Sequence, residues 1–569
     1  MNSICKTTDL MKTWFYYGVL LLILLGCKTQ MTSEKVSTAT ENTSPLKKEN
    51  QPRLVVGIVV DQMRYDYLTR FKDKYSEGGF KRLMSGGFNC KNNHFNYIPT
   101  YTGPGHASVF TGTTPKYHGI ISNSWYDKTS NETVYCVEDT TVAPIGTSHK
   151  YSRVSPSRMV ATTITDELKV ATQKRGKVIG IALKDRGAVL PAGHAADAAY
   201  WFHGEDQGHW VSSSYYMNQL PSWVKAFNAD NRAEAYFKTW DTYYDIETYT
   251  ESGSDLNNYE NGFKGKRTAT FPYDLVDLKE ANNNFDILKT TPFGNSLTTD
   301  FAIEAVKGEA LGKDEVTDFL TLSYSSTDYI GHNFGVNSKE IEDTYIRLDK
   351  DLERFLQYLD NEVGSGNYTV FLTADHGAVH VPQYLQDHHH ITAGYAENRE
   401  FVEQLMAFVE ATYGTADIIK NISNYQIFLN EDKLQELNLN LNVVQESIVN
   451  EIISYKDVYK AYSAFAMRNS YFNDGLEALL QLGYNQKRSG DVLFVLSPST
   501  ITYSKKGSTH GSGFNYDTHV PLIFYGAGIK QGSTFKATEI TDVAPTISAL
   551  LNIAFPNAAI GSPLQFVLD

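Results

Sequence analysis

The chain has 569 residues, 41% of them hydrophobic, and carries a formal net charge of −14. This length supports a large core and roughly two to four domain-sized units. The acidic balance excludes general nucleic-acid affinity. No basic stripe, zinc finger, P-loop, post-strand G-x-G-x-x-G or solenoid-period repeat is present, so any phosphate chemistry must rest on metals and a few placed cations.

The chain opens with Lys6 and Lys12, an apolar core from Trp14 to Leu25, then Gly26 and Cys27. The core is too short to span a bilayer comfortably, so residues 1–27 read as a secretory signal. Leu24-Leu25-Gly26-Cys27 resembles a bacterial lipobox, which implies cleavage before Cys27 and lipid on its thiol. Residues 28–52 are rich in Thr, Ser, Lys, Glu and Asn and predict a flexible tether. The expected destination is outside the cytoplasm, as a periplasmic or outer-membrane lipoprotein, with the lipid anchor as the only membrane contact. There an oxidising compartment permits a structural disulfide between Cys90 and Cys136, worth about 3–4 kcal/mol. Two buried free thiols are the alternative.

From residue 53 to 569 the pattern is one α/β core with two inserts. Leu54 to Val60 form an unbroken aliphatic run that stops at Asp61, the mark of a buried parallel strand. The segment PTYTGPGHASVFTG follows, with Thr102 just ahead of Gly-Pro-Gly and a helical stretch. Pro104 suits a first helical turn, which sets the threonine at the positive end of a helix dipole. Such a position favours an alkoxide and an approaching phosphoryl group, although taken alone the residue reads as an N-cap. The run VIGIAL leads into Lys184 and Arg186, two apart, so on a strand end they leave the same face.

Residues 195–292, rich in Tyr, Trp, Asn and Asp, form the first expected insert, either a roof over the site or a surface elaboration. The strand grammar returns at DFLTLSYSSTDYIGH, ending in Asp328 and His332, and at YTVFLTADHG, ending in Asp375 and His376. Between them Ile341, Tyr345, Leu348, Leu352, Phe355 and Leu359 predict a helix over 340–360, with Ser338 as N-cap and Gly364 beyond its end. Asp387-His388-His389-His390 reads as a polar loop, since adjacent residues cannot all face one ion. Residues 397–487 form the second expected insert, a small α/β subdomain, and the core pattern resumes near 490.

Three strand exits therefore deliver carboxylates and imidazoles to the edge where open α/β sheets bind ligands. The pattern suggests a two-metal hydrolase with Thr102 as nucleophile, activated by coordination because a threonine hydroxyl is otherwise weak near neutrality.

The segments VVDQMRYDY, PTYTGPGHASVFTG, HGI with Asn123, ALKDRG, STDYIGH, TADHG, YDTHVPLIFYG and EITDVAPTISALL together resemble the alkaline phosphatase superfamily, most nearly its PafA-type bacterial branch with a threonine nucleophile. The resemblance runs from about Leu54 to the C-terminus. It implies an α/β fold with a central, mostly parallel sheet flanked by helices and interrupted by two cap or subdomain segments. It also implies two zinc ions, one held by Asp328, His332 and His519, the other by Asp61, Asp375, His376 and the Thr102 oxygen. Spacing alone does not separate His519 from His510; the family motif selects His519. Asn123, Lys184 and Arg186 are expected on the phosphoryl oxygens that a monoester leaves free. The implied reaction is hydrolysis of small-molecule phosphate monoesters through a phosphothreonine, with release of inorganic phosphate. A monomer is compatible with this reading.

Other readings share parts of this pattern. A phosphodiesterase or nucleotide pyrophosphatase of the same superfamily uses the same metal set and is the main alternative. A sulfatase needs Cys or Ser in C/S-x-P-x-R, where this chain has Thr102-Gly-Pro-Gly-His. The secretion signal disfavours a phosphomutase, and the full set of ligand-type residues disfavours a binding protein that has lost catalysis.

Overall fold

The computed structural model describes residues 51–569. The signal, the lipobox and nearly all of the tether lie outside the described residues. Ten strands form one sheet: β1 (Leu54–Val60), β2 (Phe88–His94), β3 (Pro144–Ile145), β4 (Val178–Ala182), β5 (Ala198–His203), β6 (His209–Ser213), β7 (Asp318–Tyr324), β8 (Tyr368–Thr373), β9 (Leu522–Gly526) and β10 (Gly532–Glu539). Their spatial order is β10-β2-β9-β8-β1-β7-β4-β5-β6-β3. The central five, β8-β1-β7-β4-β5, are mutually parallel, whereas β9 runs antiparallel to both of its neighbours.

Strands β1, β4, β7 and β8 are buried along their whole length, which explains their continuous rather than alternating hydrophobic runs. Their register brings several exits to one edge. Val60 pairs with Tyr324 and Val59 with Thr373, while Ala182 pairs with Ser323. Asp61, Asp375 and Lys184 therefore leave the sheet side by side, although up to hundreds of residues separate them in sequence.

Five helices matter for the site: α1 (Thr102–Thr111), α2 (Asp185–Ala192), α3 (Pro292–Gly308), α4 (Ser326–Phe334) and α5 (Lys339–Leu359). The helix predicted over 340–360 is α5. Its whole apolar stripe is buried, and Ser338 Oγ accepts the Ile341 N–H at 3.2 Å as an N-cap. At the far end the chain passes through a π-turn, Asp360–Gly364, and leaves on Gly364 at φ 99.

Both insert boundaries move. The first insert was placed at 195–292, but β5 and β6 extend the main sheet, so the elaboration proper starts after Ser213. The second was placed at 397–487. Its four-stranded sheet, in the order Ile419–Ser423, Gln426–Leu429, Val492–Leu496, Val458–Ser463, needs Val492–Leu496 as an inner strand. That strand reads as return to the core because it is as apolar as a main-sheet strand. This subdomain has its own core, including Leu405, Val409, Ile448 and Val492.

Cys90 and Cys136 are free and buried in separate hydrophobic clusters, so the alternative of two free thiols holds. The Asp387–His390 tract is the exposed end of a helix, Pro382–His389, rather than a loop. Among the described residues no helix is long and apolar enough to cross a membrane.

Candidate metal centre and active site

Thr102 begins α1 and is 1% exposed, its Oγ1 lying 3.4 Å from His376 Nε2. The helix that carries it packs tightly on the strand exit behind. A Cβ added at Gly105 would lie 2.3 Å from the Asp375 carbonyl oxygen, so only glycine permits this approach. Gly105→Ala is expected to push α1 from Asp375 at a cost of about 1–3 kcal/mol, read as a lower thermal midpoint and lower bound metal by elemental analysis.

His376 in turn shares one cluster with Asp61, Asp328, His332 and Asp375, together five of the ligand-type residues expected from sequence. Asp328, His332 and His510 offer donor atoms within 4.8 Å of one another, and so do Asp61, Asp328 and His376. Asp328 is thus common to both groups. Asp375 flanks the second, with Oδ2 3.4 Å from His376 Nε2.

His519 does not reach this cluster. Its Nε2 is bonded to the Lys91 carbonyl at 3.0 Å, and its ring is stacked between Tyr65 and His94 at 4.6 and 4.7 Å. His510 takes the place assigned to His519, its ring stacked on His376 at 3.4 Å and its Nε2 3.7 Å from Asp328 Oδ1. The physical reason is the partner of the other ring nitrogen. His510 Nδ1 meets the Thr100 carbonyl at 2.7 Å, His332 Nδ1 the Ser508 carbonyl at 2.7 Å, and His376 Nδ1 the Gly377 carbonyl at 3.0 Å. A carbonyl only accepts, so in each ring Nδ1 carries the hydrogen and Nε2 is the nitrogen left facing the cluster.

The donor set fits metal ions on further grounds. Asp61 Oδ1 and Asp375 Oδ2 are buried without a hydrogen-bond partner. Burial raises the Asp61 carboxyl well above the usual carboxylate range, nearby Asp375 adds to this, and Lys184 opposes both. Burial acts on Asp328 as well, but His332 and Lys184 outweigh it and hold its carboxyl well below that range. Burial also lowers His376 and His510, which favours the neutral, ligating form of each ring. Three buried carboxylates this close require positive charge, and a single ammonium is present: Lys184 Nζ, 2.6 Å from Asp61 Oδ2 and 2.5 Å from Asp328 Oδ2.

Lys184 and Arg186 do not sit on a strand end, as their spacing suggested. β4 stops at Ala182, Lys184 is the N-cap of α2 and Arg186 lies in its first turn. The short segment after an apolar run gives no local signal that the helix starts so early. Arg186 reaches the Tyr135 hydroxyl at 3.3 Å, and its Nε is buried without a partner. Asn123 is fixed on α1, its Oδ1 accepting the Gly103 N–H at 2.7 Å.

Two residues escaped the sequence reading. Gln62 holds φ at 63, donates its backbone N–H to Asp375 Oδ1 at 3.1 Å and its side-chain amide to Asp328 Oδ1 at 2.6 Å. It ties together the carboxylates of Asp375, just past β8, and Asp328, in α4. His106 is fully buried and bonds the Thr102 carbonyl at 2.9 Å and Ser323 Oγ at 2.8 Å. The spacing of Thr102 and His106, one helical turn, is the one signal that pointed to it.

The profile of the family described as type I phosphodiesterase / nucleotide pyrophosphatase matches residues 55–520. A Myroides odoratus protein named calcium-transporting ATPase is 45% identical over 92% of this chain and 96% of its own length. Alkaline phosphatase PafA of Elizabethkingia meningoseptica is 44% identical over 91% of this chain and 95% of its own. A 1.7 Å crystal structure of wild-type PafA superposes with a TM-score of 0.88 at 42% identity, covering 92% of this chain and all of that one. Family profile, identity along nearly the whole of both chains and a shared fold agree that this chain belongs to the type I phosphodiesterase / nucleotide pyrophosphatase family and, within the alkaline phosphatase superfamily, is a phosphatase of the PafA type.

Proposed function

We propose that the protein hydrolyses small-molecule phosphate monoesters through a phosphothreonine on Thr102. The observation that carries this reading is the Thr102 hydroxyl at the head of α1, facing His376 Nε2 at 3.4 Å beside buried, cation-demanding carboxylates. Asp328, His332 and His510 would hold one divalent ion and Asp61, Asp375, His376 and Thr102 Oγ1 the other. Mixed imidazole and carboxylate donors suit zinc. Such a pair, when bound, supplies positive charge for the Thr102 alkoxide and for the departing oxygen.

The chain's own groups do the rest. Thr102 Oγ1 attacks phosphorus in line, a new P–O bond forms, and the bond to the leaving alcohol oxygen breaks. Water then attacks the phosphothreonine, releasing inorganic phosphate and restoring the hydroxyl. The positive end of the α1 dipole favours the incoming anion, although Pro104 has no N–H and the Gly103 N–H is already given to Asn123. Asn123 offers its amide N–H groups, since its Oδ1 is already engaged with Gly103. The buried, unpartnered Arg186 Nε supports a role for the guanidinium on the phosphoryl oxygens. Lys184 would leave its two aspartates for the substrate once divalent charge replaces it there.

A PafA structure substituted at a threonine, an asparagine, a lysine and an arginine shares the residue types of Thr102, Asn123, Lys184 and Arg186, which supports the assignment. The decisive comparison is monoester against diester. Lys184→Ala and Arg186→Ala should each lower kcat/KM for an aryl phosphate by on the order of 10- to 100-fold. A diaryl phosphate, with one of those oxygens esterified, should be far less affected. Equal losses on both substrates would reject the monoesterase reading and favour the diesterase.

We also propose export as a lipoprotein, on the strength of the apolar core and the Leu-Leu-Gly-Cys run ending at Cys27. Mass spectrometry of the native protein, with Cys27→Ser as control, tests the lipid.

A further inference from the structure

Asn123 is held from a direction that the catalytic core does not supply. The strands Ile419–Ser423 and Gln426–Leu429 of the small subdomain pair antiparallel, and the chain turns between them on Asn424 and Tyr425, both left-handed at φ 52 and 58. Two consecutive positive φ values make the tight hairpin turn whose twist suits such strands, and asparagine tolerates the first of them. The tip of this hairpin lands on the residues either side of Asn123. Ser122 Oγ donates to Asn424 Oδ1 at 3.1 Å, and Asn424 Nδ2 donates to the Ser124 carbonyl at 2.8 Å.

One carboxamide therefore brackets Asn123 from both sides. The same segment is clamped at other points by the stretch of the subdomain that leads into its strand Val492–Leu496. Asn485 Nδ2 donates to the Lys116 carbonyl at 3.0 Å, and Arg488 donates to the Gly119 carbonyl and lies over the Trp125 ring at 5.3 Å. Asn123 makes its two remaining fixed contacts with the core, through Gly103 N–H and by accepting the Cys136 N–H at its carbonyl.

We propose that Asn424 is a positioning residue for phosphoryl recognition: the small subdomain, through the hairpin tip, sets the Asn123 amide against the phosphate. This rests on Asn123 contacting the phosphoryl group. A substrate-contacting amide displaced by about 1 Å can cost as much as 100-fold in rate, so a bracket of this kind has large leverage.

The test compares Asn424→Gly, Asn123→Ala and the double variant in the full-length, zinc-replete enzyme. Glycine accepts the left-handed φ of 52 at position 424 and removes only the side chain that carries the carboxamide. Asn424→Gly is expected to lower kcat/KM for an aryl phosphate by on the order of 10-fold and to weaken inhibition by inorganic phosphate by a similar factor. The double variant should lose no more than Asn123→Ala alone, because the bracket acts through Asn123. A purely structural role would lower both variants multiplicatively. Asn424→Asp retains the acceptor for Ser122 and loses the donor to Ser124, so it should fall between wild type and Asn424→Gly and serves if the glycine variant folds poorly. Multiplicative losses, or wild-type activity in both Asn424 variants, would overturn the proposal while leaving the role of Asn123 intact. Wild-type monoester activity in Asn123→Ala would instead overturn the phosphate-contact reading, and this proposal with it.

Discussion

Thr102→Ala is expected to abolish phosphoryl transfer, with turnover of an aryl phosphate falling on the order of 10⁴- to 10⁶-fold, as loss of a nucleophile does elsewhere. The fold should survive. The side chain is small, and its hydroxyl makes a single weak contact, to His376 Nε2 at 3.4 Å, so alanine leaves a minor void and no stranded hydrogen-bond partner in the core. Circular dichroism and the thermal midpoint should match wild type, and bound metal should drop less than activity. Thr102→Ser retains an oxygen at the same place and should retain much of the rate. Intact turnover in Thr102→Ala would remove this residue as nucleophile.

His510→Ala and His519→Ala should behave in opposite ways. His510 turns Nε2 toward Asp328 while its other nitrogen is anchored on Thr100, so its loss removes a ligand from a preorganised set. Metal affinity should fall by at least about 10- to 100-fold, the scale seen even for outer partners of metal ligands, and activity should fall with it. His519→Ala gives up ring stacking on Tyr65 and His94, worth about 1 kcal/mol, and should keep both metal content and turnover. Zinc titration monitored by competition with a chromogenic chelator, alongside the thermal midpoint with and without metal, separates the two. Loss of zinc from the His519 variant with retention in the His510 variant would restore the assignment implied by the family motif.

The choice between these two histidines shows where sequence reasoning loses its hold. They lie nine positions apart in one stretch, both beside plausible motif residues, and neither sits at a strand exit. What separates them is a backbone carbonyl from elsewhere: Thr100 behind His510, Lys91 behind His519. Lys184 and Arg186 illustrate the same limit. Their identity was readable after the run VIGIAL, but their placement at the head of α2 rather than on a strand was not.

By itself the sequence determined the parallel core, because strands buried on both faces must be apolar throughout, and it determined that Asp61, Asp328, Asp375 and His376 follow those strands. It also marked Thr102 as the start of a helix, since Pro104 restricts what can precede it. Tertiary structure decided which imidazole completes the cluster, that Cys90 and Cys136 stay apart, and that Asn424 grips the segment bearing Asn123. Local pattern reports periodicity and stop signals within a few residues. These other outcomes depend on hydrogen-bond partners up to hundreds of residues away, which exist only once the strand order has been set.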